Sequence, residues 1–116
     1  MARIRSVHPG LFTDEEWVLC SPLARLLFIG LWTDADDQGV FEWKPVQIKM
    51  KLLAYDAVDA APLLAELADH GFITRFEHLE KPYAAIRNFR KFQRPKKPNA
   101  THPHPDWLRT YVGLGG

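Results

Sequence analysis

Between Ser21 and Trp32 the chain reads Ser-Pro-Leu-Ala-Arg-Leu-Leu-Phe-Ile-Gly-Leu-Trp, and Arg25 is the only long polar side chain in the run. Ser21 and Pro22 make an N-cap and first-turn pair. A serine hydroxyl accepts from an orphan amide, and proline has no amide to lose. The run therefore predicts a helix from Pro22 to about Ala35. Leu23, Leu27, Gly30 and Leu31 form one stripe, and Phe28 and Trp32 form another. A helix apolar on nearly every side must be covered from more than one direction. Leu11, Phe12, Trp17 and Val18 are the nearest cover, and a homodimer contact through Phe28 and Trp32 is the competing expectation.

A chain of 116 residues, 47% apolar with four Trp and seven Phe, has material for one core and not two. Net charge is only +1, so the distribution of charge says more about partners than its sum. The lone Cys20 excludes an internal disulfide and a Cys-rich zinc site, and reads as a small apolar residue before a helix. No apolar run has bilayer length, and Met-Ala-Arg-Ile-Arg has no hydrophobic segment behind it. A cytoplasmic protein with no membrane partner is expected.

Residues 2–12 lack periodicity and read as an extended arm. Thr13-Asp-Glu-Glu16 has the pattern of a capping box opening a short helix to about Leu19. Asp34-Ala-Asp-Asp-Gln-Gly39 reads as a helix stop and turn into a strand over Val40–Trp43. As a calcium loop it fails, with Gln38 at the fifth position and Pro45 at the twelfth. Pro45 opens a second helix to about Leu53, with Val46, Met50 and Leu53 inward and Lys44, Gln47 and Lys51 outward. Asp59 caps a third helix, with Leu64, Leu67 and Ala68 inward and Gly71 as its left-handed stop. Ile73–Glu77 and Tyr83–Ile86 pair across a loop at His78–Pro82. The expected organisation is an arm and short helix over 1–20, a domain with a basic extension over 21–98, and a Pro/His/Gly-rich tail over 99–116. Trp107, Leu108 and Tyr111 of that tail are candidates to dock back. The order helix, strand, helix, helix, hairpin is that of a winged helix-turn-helix: mainly α with a small β wing.

Several segments carry a resemblance within this order: Ala2–Thr13, Ser21–Trp32, Asp34–Gly39, Ile48–Asp56, Leu63–Ile73 and Asn88-Phe-Arg-Lys-Phe-Gln-Arg-Pro95. Over roughly Ala2 to Pro98 the chain resembles the N-terminal, DnaD-like winged-helix module of phage-encoded replication proteins, often described as replisome organisers. The resemblance implies origin or single-strand DNA binding and recruitment of the replicative helicase machinery. Two departures stand out: the second half usual in such proteins is absent, and Phe92 stands where His is more usual.

The strongest functional signal is the run after the hairpin. Arg87, Arg90, Lys91, Arg94, Lys96 and Lys97 are interleaved with Phe89 and Phe92, a mixture suited to phosphate contacts beside stacked bases. Phe92 is the candidate stacking residue and Phe89 a core residue; a solvated basic arm is the plainer alternative. Arg3, Arg5, Lys44, Lys49 and Lys51 complete the candidate nucleic-acid contacts. The third helix offers Asp59, Glu66 and Asp69 and no Lys or Arg, so base reading by it is disfavoured. DNA, single- or double-stranded, is therefore expected to be gripped with low sequence specificity, in replication initiation. The alternative is a protein-binding winged helix, docking through Glu66, Asp69, Phe28 and Trp32 as an inhibitor of a host DNA-handling or defence complex. A small transcriptional regulator is a third expectation. No catalytic grouping, cofactor loop or metal site is evident; His102-Pro-His104 lacks a third ligand.

Overall fold

The computed structural model describes residues 2–114, an α/β domain with six helices and one small antiparallel sheet among them. A 3₁₀ turn at Pro9–Thr13 leads into α1, Glu15–Leu19. The cap of α1 is Asp14, whose carboxylate accepts from the Trp17 amide at 3.1 Å. The expected box at Thr13 is thus displaced by one residue: the Thr13 hydroxyl donates back to the Gly10 carbonyl, and Glu16 lies 3.2 Å from the His70 ring. An aspartate carboxylate is as good a cap as a hydroxyl and adds charge at the positive helix end.

Helix α2, Pro22–Asp34, begins on Ser21 as expected. The Ser21 hydroxyl accepts from the Ala24 amide and itself donates to Glu66. Its apolar faces are covered within the monomer. Leu27, Leu31, Phe28 and Trp32 are all buried, and the Phe28 ring lies 5.2 Å from that of Phe72. Phe28 and Trp32 therefore belong to the core and present no open face for a dimer. Leu11 and Trp17 provide the cover expected of the N-terminal segment, whereas Phe12 and Val18 remain exposed.

Strand β1, Val40–Glu42, follows the Asp34–Gly39 turn, and α3 spans Pro45–Leu52. The inward face of α3 differs from expectation in part: Leu53, which caps the helix, is buried as expected, but Val46 and Met50 are not. Ile48 is buried and Leu52 half-buried, while Val46 and Met50 are 75% and 68% exposed. The helix carries two apolar stripes, Val46–Met50 and Ile48–Leu52, and packing against α2 and α4 selects the second. Helix α4, Ala60–Asp69, closes in a Schellman motif: Phe72 N–H donates to Leu67 C=O, Gly71 N–H donates to Ala68 C=O, and Gly71 has φ +80°.

Strands β2, Ile73–His78, and β3, Lys81–Ile86, form a hairpin tighter than expected. The connection is Leu79-Glu80 alone, both residues at positive φ, as a type I′ turn demands. The sheet order is β1-β3-β2. Side chains alternate across it, so Phe41, Ile73 and Ile86 face the helices, while the cross-strand pair Phe76 and Tyr83 points the other way.

That second face is covered by residues 99–114, which are no free tail. After α5, Phe89–Phe92, the chain returns across the sheet, and α6, Leu108–Tyr111, packs on β3. Leu108 and Val112 are fully buried, and the Trp107 ring meets Phe76 edge-on at 5.8 Å. Burial lifts the Tyr111 hydroxyl to a pKa of about 12, and it donates to the Gly71 carbonyl. Among the described residues no helix is long and apolar enough to cross a membrane. The helix–strand–helix–helix–hairpin order and the β1-β3-β2 sheet are compatible with a winged-helix layout.

Candidate nucleic-acid interface

Asp36 and Asp37, just past α2, decide which cations remain available. Their side chains are buried, and each gathers partners from distant parts of the chain. Asp36 accepts from the Gln38 and Val40 amides, which shapes the turn, and from the Thr101 and His102 amides of the returning segment. Asp37 accepts from Arg5 Nη1 at 2.9 Å, from the Asn99 amide, and from Arg3. Burial alone would raise the Asp37 carboxyl, but the Asn99 amide and the Arg5 and Arg3 guanidiniums outweigh it and hold the pKa below 3.8. The turn foreseen in the sequence is also a clasp tying both ends of the chain to the core.

The clasp withdraws Arg5 from the candidate contacts. Its guanidinium is almost fully buried, donates to the Trp32 and Ala35 carbonyls as well as to Asp37, and stacks 4.9 Å from the Phe89 ring centroid. A buried cation with four of its five N–H donors satisfied internally is poorly placed to meet a phosphate. Arg3 shares Asp37 but keeps half its side chain in solvent. Lys44 pairs with Glu42 at 3.0 Å, holding that carboxyl below its ordinary range, and Lys51 pairs with Asp34 at 3.1 Å. Lys49 donates to the Ala54 carbonyl. The expected contacts on α3 are thus already engaged with the protein.

The basic segment is different. Arg87, Lys91, Arg94, Lys96 and Lys97 make no ion pair with any acid among the described residues. Arg90 is held by Gln38 Oε1 at 2.8 Å and the Gln93 carbonyl, and its own amide donates to Val112, so it serves the fold. Local geometry keeps the others outward. Asn88 takes a left-handed conformation (φ 58°) that turns the chain from β3 into the short helix α5. Phe89 then drops into the core against Gly39, while Lys91 and Phe92 remain exposed. Pro95 and Pro98 keep the stretch to Lys97 free of further helix.

Beside this segment lies a groove of about 370 Å³. Its floor includes the buried Phe28, Trp32 and Phe72, and its rim includes Arg87, Lys91 and Phe92. Arg87 stands 5.0 Å from the Phe72 ring and Lys91 5.6 Å from the Phe92 ring. The arm supplies the remaining wall. Ser6 and Gln93 exchange two hydrogen bonds through the Gln93 amide, and His8 lies tilted 5.3 Å from Phe92. The sequence pattern did not foretell this groove, because its floor and rim come from α2, the residue before β2, the residue after β3 and α5, and only packing joins them.

The carboxylates expected at a protein interface divide. Glu66 accepts from both the Ser21 amide and the Ser21 hydroxyl, so it anchors α2 to α4 and is no docking residue. Asp69 is exposed. Cys20 is buried, and burial, with Glu66 nearby, pushes its thiol up and away from reactivity. His102 rests against Tyr83, and both ring nitrogens of His104 are buried without partners. Among the described residues no three His, Cys, Asp or Glu side chains gather as a metal site. No family model, curated protein or solved structure matches the chain.

Proposed function

We propose that this is a winged-helix DNA-binding protein that grips DNA through phosphates with low sequence specificity, in the setting of phage-type replication initiation. The observation that carries the reading is the set Arg87, Lys91, Arg94, Lys96 and Lys97, cationic and without acid partners in a molecule whose net charge is only +1. Charges of one sign left uncompensated on a contiguous stretch are what a polyanion recognises. The exposed side of α4 supports low specificity. It presents Ala61, Pro62, Ala65 and Asp69, none of which is a donor for a base edge. The placement in replication rests on the resemblance of residues 2–98 alone.

The test is the salt dependence of binding to a labelled oligonucleotide. Five phosphate contacts give a log–log slope of roughly −3 to −5, lower for single strands than for duplex. Replacing Arg94, Lys96 and Lys97 together by Ala should reduce the slope by about 2 to 3 and weaken unrelated sequences alike. Binding that ignores salt, or none to either DNA form, would discard the reading.

A protein-binding role is favoured by a different observation, the outward Val46 and Met50 of α3. Its test is Val46→Glu with Met50→Glu, which should abolish capture of a specific partner while leaving DNA binding intact. Capture that survives both substitutions would count against it.

A further inference from the structure

We infer that the groove beside α5 receives an unstacked base of a single DNA strand, making this a protein that prefers single-stranded over duplex DNA. The inference deepens the DNA-binding reading and rests on it. A volume of about 370 Å³ lies at the small end of the range for organic ligands, about 300–1,000 Å³. The groove is sunk among the buried rings of Phe28, Trp32 and Phe72, so only a base that has left its stack can enter.

Three observations name the occupant. The lining is largely apolar, and the one aromatic side chain on it that is well exposed, Phe92, can stack on any base without reading its edge. Phe92, at the rim, keeps 43% of its surface in solvent although it sits beside the core. Lys91 and Arg87 stand at the same rim without acid partners, and Lys91 hangs over the Phe92 ring, where the phosphate flanking a stacked base would lie. Asp14 also lines the groove, but its carboxylate is engaged by the Trp17 amide at 3.1 Å, so an apolar slot with two cations at its rim fits a planar anion segment. A purely apolar peptide would leave both charges unanswered.

His8 is the residue an entering base would displace, at the loss of the hydrogen bond its ring accepts from the Gly10 amide at 2.9 Å. It touches Phe92 from the exposed arm, tilted at 55° and not stacked, so a base can take its place without disturbing the core.

The experiment uses the full chain and a short thymidine oligonucleotide with one central 2-aminopurine, offered as a single strand and annealed to its complement. Wild-type protein should bind the single strand more tightly and quench the 2-aminopurine fluorescence. Phe92→Ala should weaken single-strand binding by about 5- to 100-fold and abolish the quench, with duplex affinity unchanged. Phe92→Tyr should retain both. An equal loss on both DNA forms, or a quench that persists in Phe92→Ala, would overturn the inference. Wild-type binding of both forms with no quench sinks the groove proposal alone, whereas binding of neither sinks the DNA reading beneath it.

Discussion

Asp37 is the residue on which most of the arrangement converges. Its side chain is fully buried and holds Arg5, itself nearly buried, together with Arg3 and the Asn99 amide. Asp37→Asn keeps the shape but strands the Arg5 charge, and it should cost about 3–5 kcal/mol in urea unfolding, the usual toll for breaking a buried pair. The pH dependence follows from the depressed carboxyl. The unfolded chain binds the proton first, so stability is complete above 3.8 and is lost as pH falls through the lower native value. Asp37→Asn should lack that acid limb. His104 adds an earlier one. Burial holds its imidazole below 6.5, so protonation favours the unfolded chain and stability declines as pH falls below that value. His104→Phe should flatten this portion of the curve, read from denaturation midpoints across pH. Gly39 is legible in sequence as a turn, but its importance is tertiary: φ is +86° and an added Cβ would lie 2.7 Å from that of Phe89. Gly39→Ala should therefore cost about 2 kcal/mol or more, with overpacking added to backbone strain.

Among the elements, the β2–β3 hairpin shows the cost of an unusual turn. Leu79 and Glu80 both hold positive φ, a conformation that costs ordinary residues roughly 1–2 kcal/mol each. Leu79→Asn with Glu80→Gly, the pair that a type I′ turn favours, should raise stability by about 1 kcal/mol in thermal or urea unfolding. The hairpin itself was readable in the sequence, but the turn was not, since neither residue advertises a left-handed conformation. Helix α4 was legible through its end. Gly71 and Phe72 have the types a Schellman stop requires, and the hydrogen bonds to Ala68 and Leu67 form accordingly. Helix α3 was legible only in part. Its span follows from Pro45, but Val46 and Met50 are as apolar as Ile48 and Leu52, so no local signal distinguishes the two stripes.

For the whole molecule, the decisive feature is that the last part of the chain completes the core. Leu108 and Val112 are fully buried, and Asn88 and Arg90 donate their amides to Tyr111 and Val112. Removing residues 99–116 should therefore lower the unfolding midpoint sharply and expose the Phe76–Tyr83 face of the sheet, seen as dye binding in the truncated protein. A passive tail would leave the midpoint unchanged. The same packing bears on function. The clasp at Asp36 and Asp37 engages the arm cations, while the segment from Arg87 to Lys97 crosses the surface with five cations unpaired. The basic run was visible in the sequence; folding adds that Arg3, Arg5, Lys44 and Lys51 are paired with acids while Arg87, Lys91, Arg94, Lys96 and Lys97 are not.

What the sequence determined alone was local: the spans of α2, α3 and α4, the β2–β3 hairpin, and a basic, aromatic segment after it. Those features depend on backbone geometry and on neighbours a few residues away, which the order of residue types encodes directly. Only the tertiary structure decided which cations are neutralised, which stripe of α3 turns inward, and that Phe28, Trp32 and Phe72 floor a groove rimmed by Phe92. The reason is distance along the chain. Asp37 meets Arg5 across 32 residues and Asn99 across 62, and no local pattern records such a pairing.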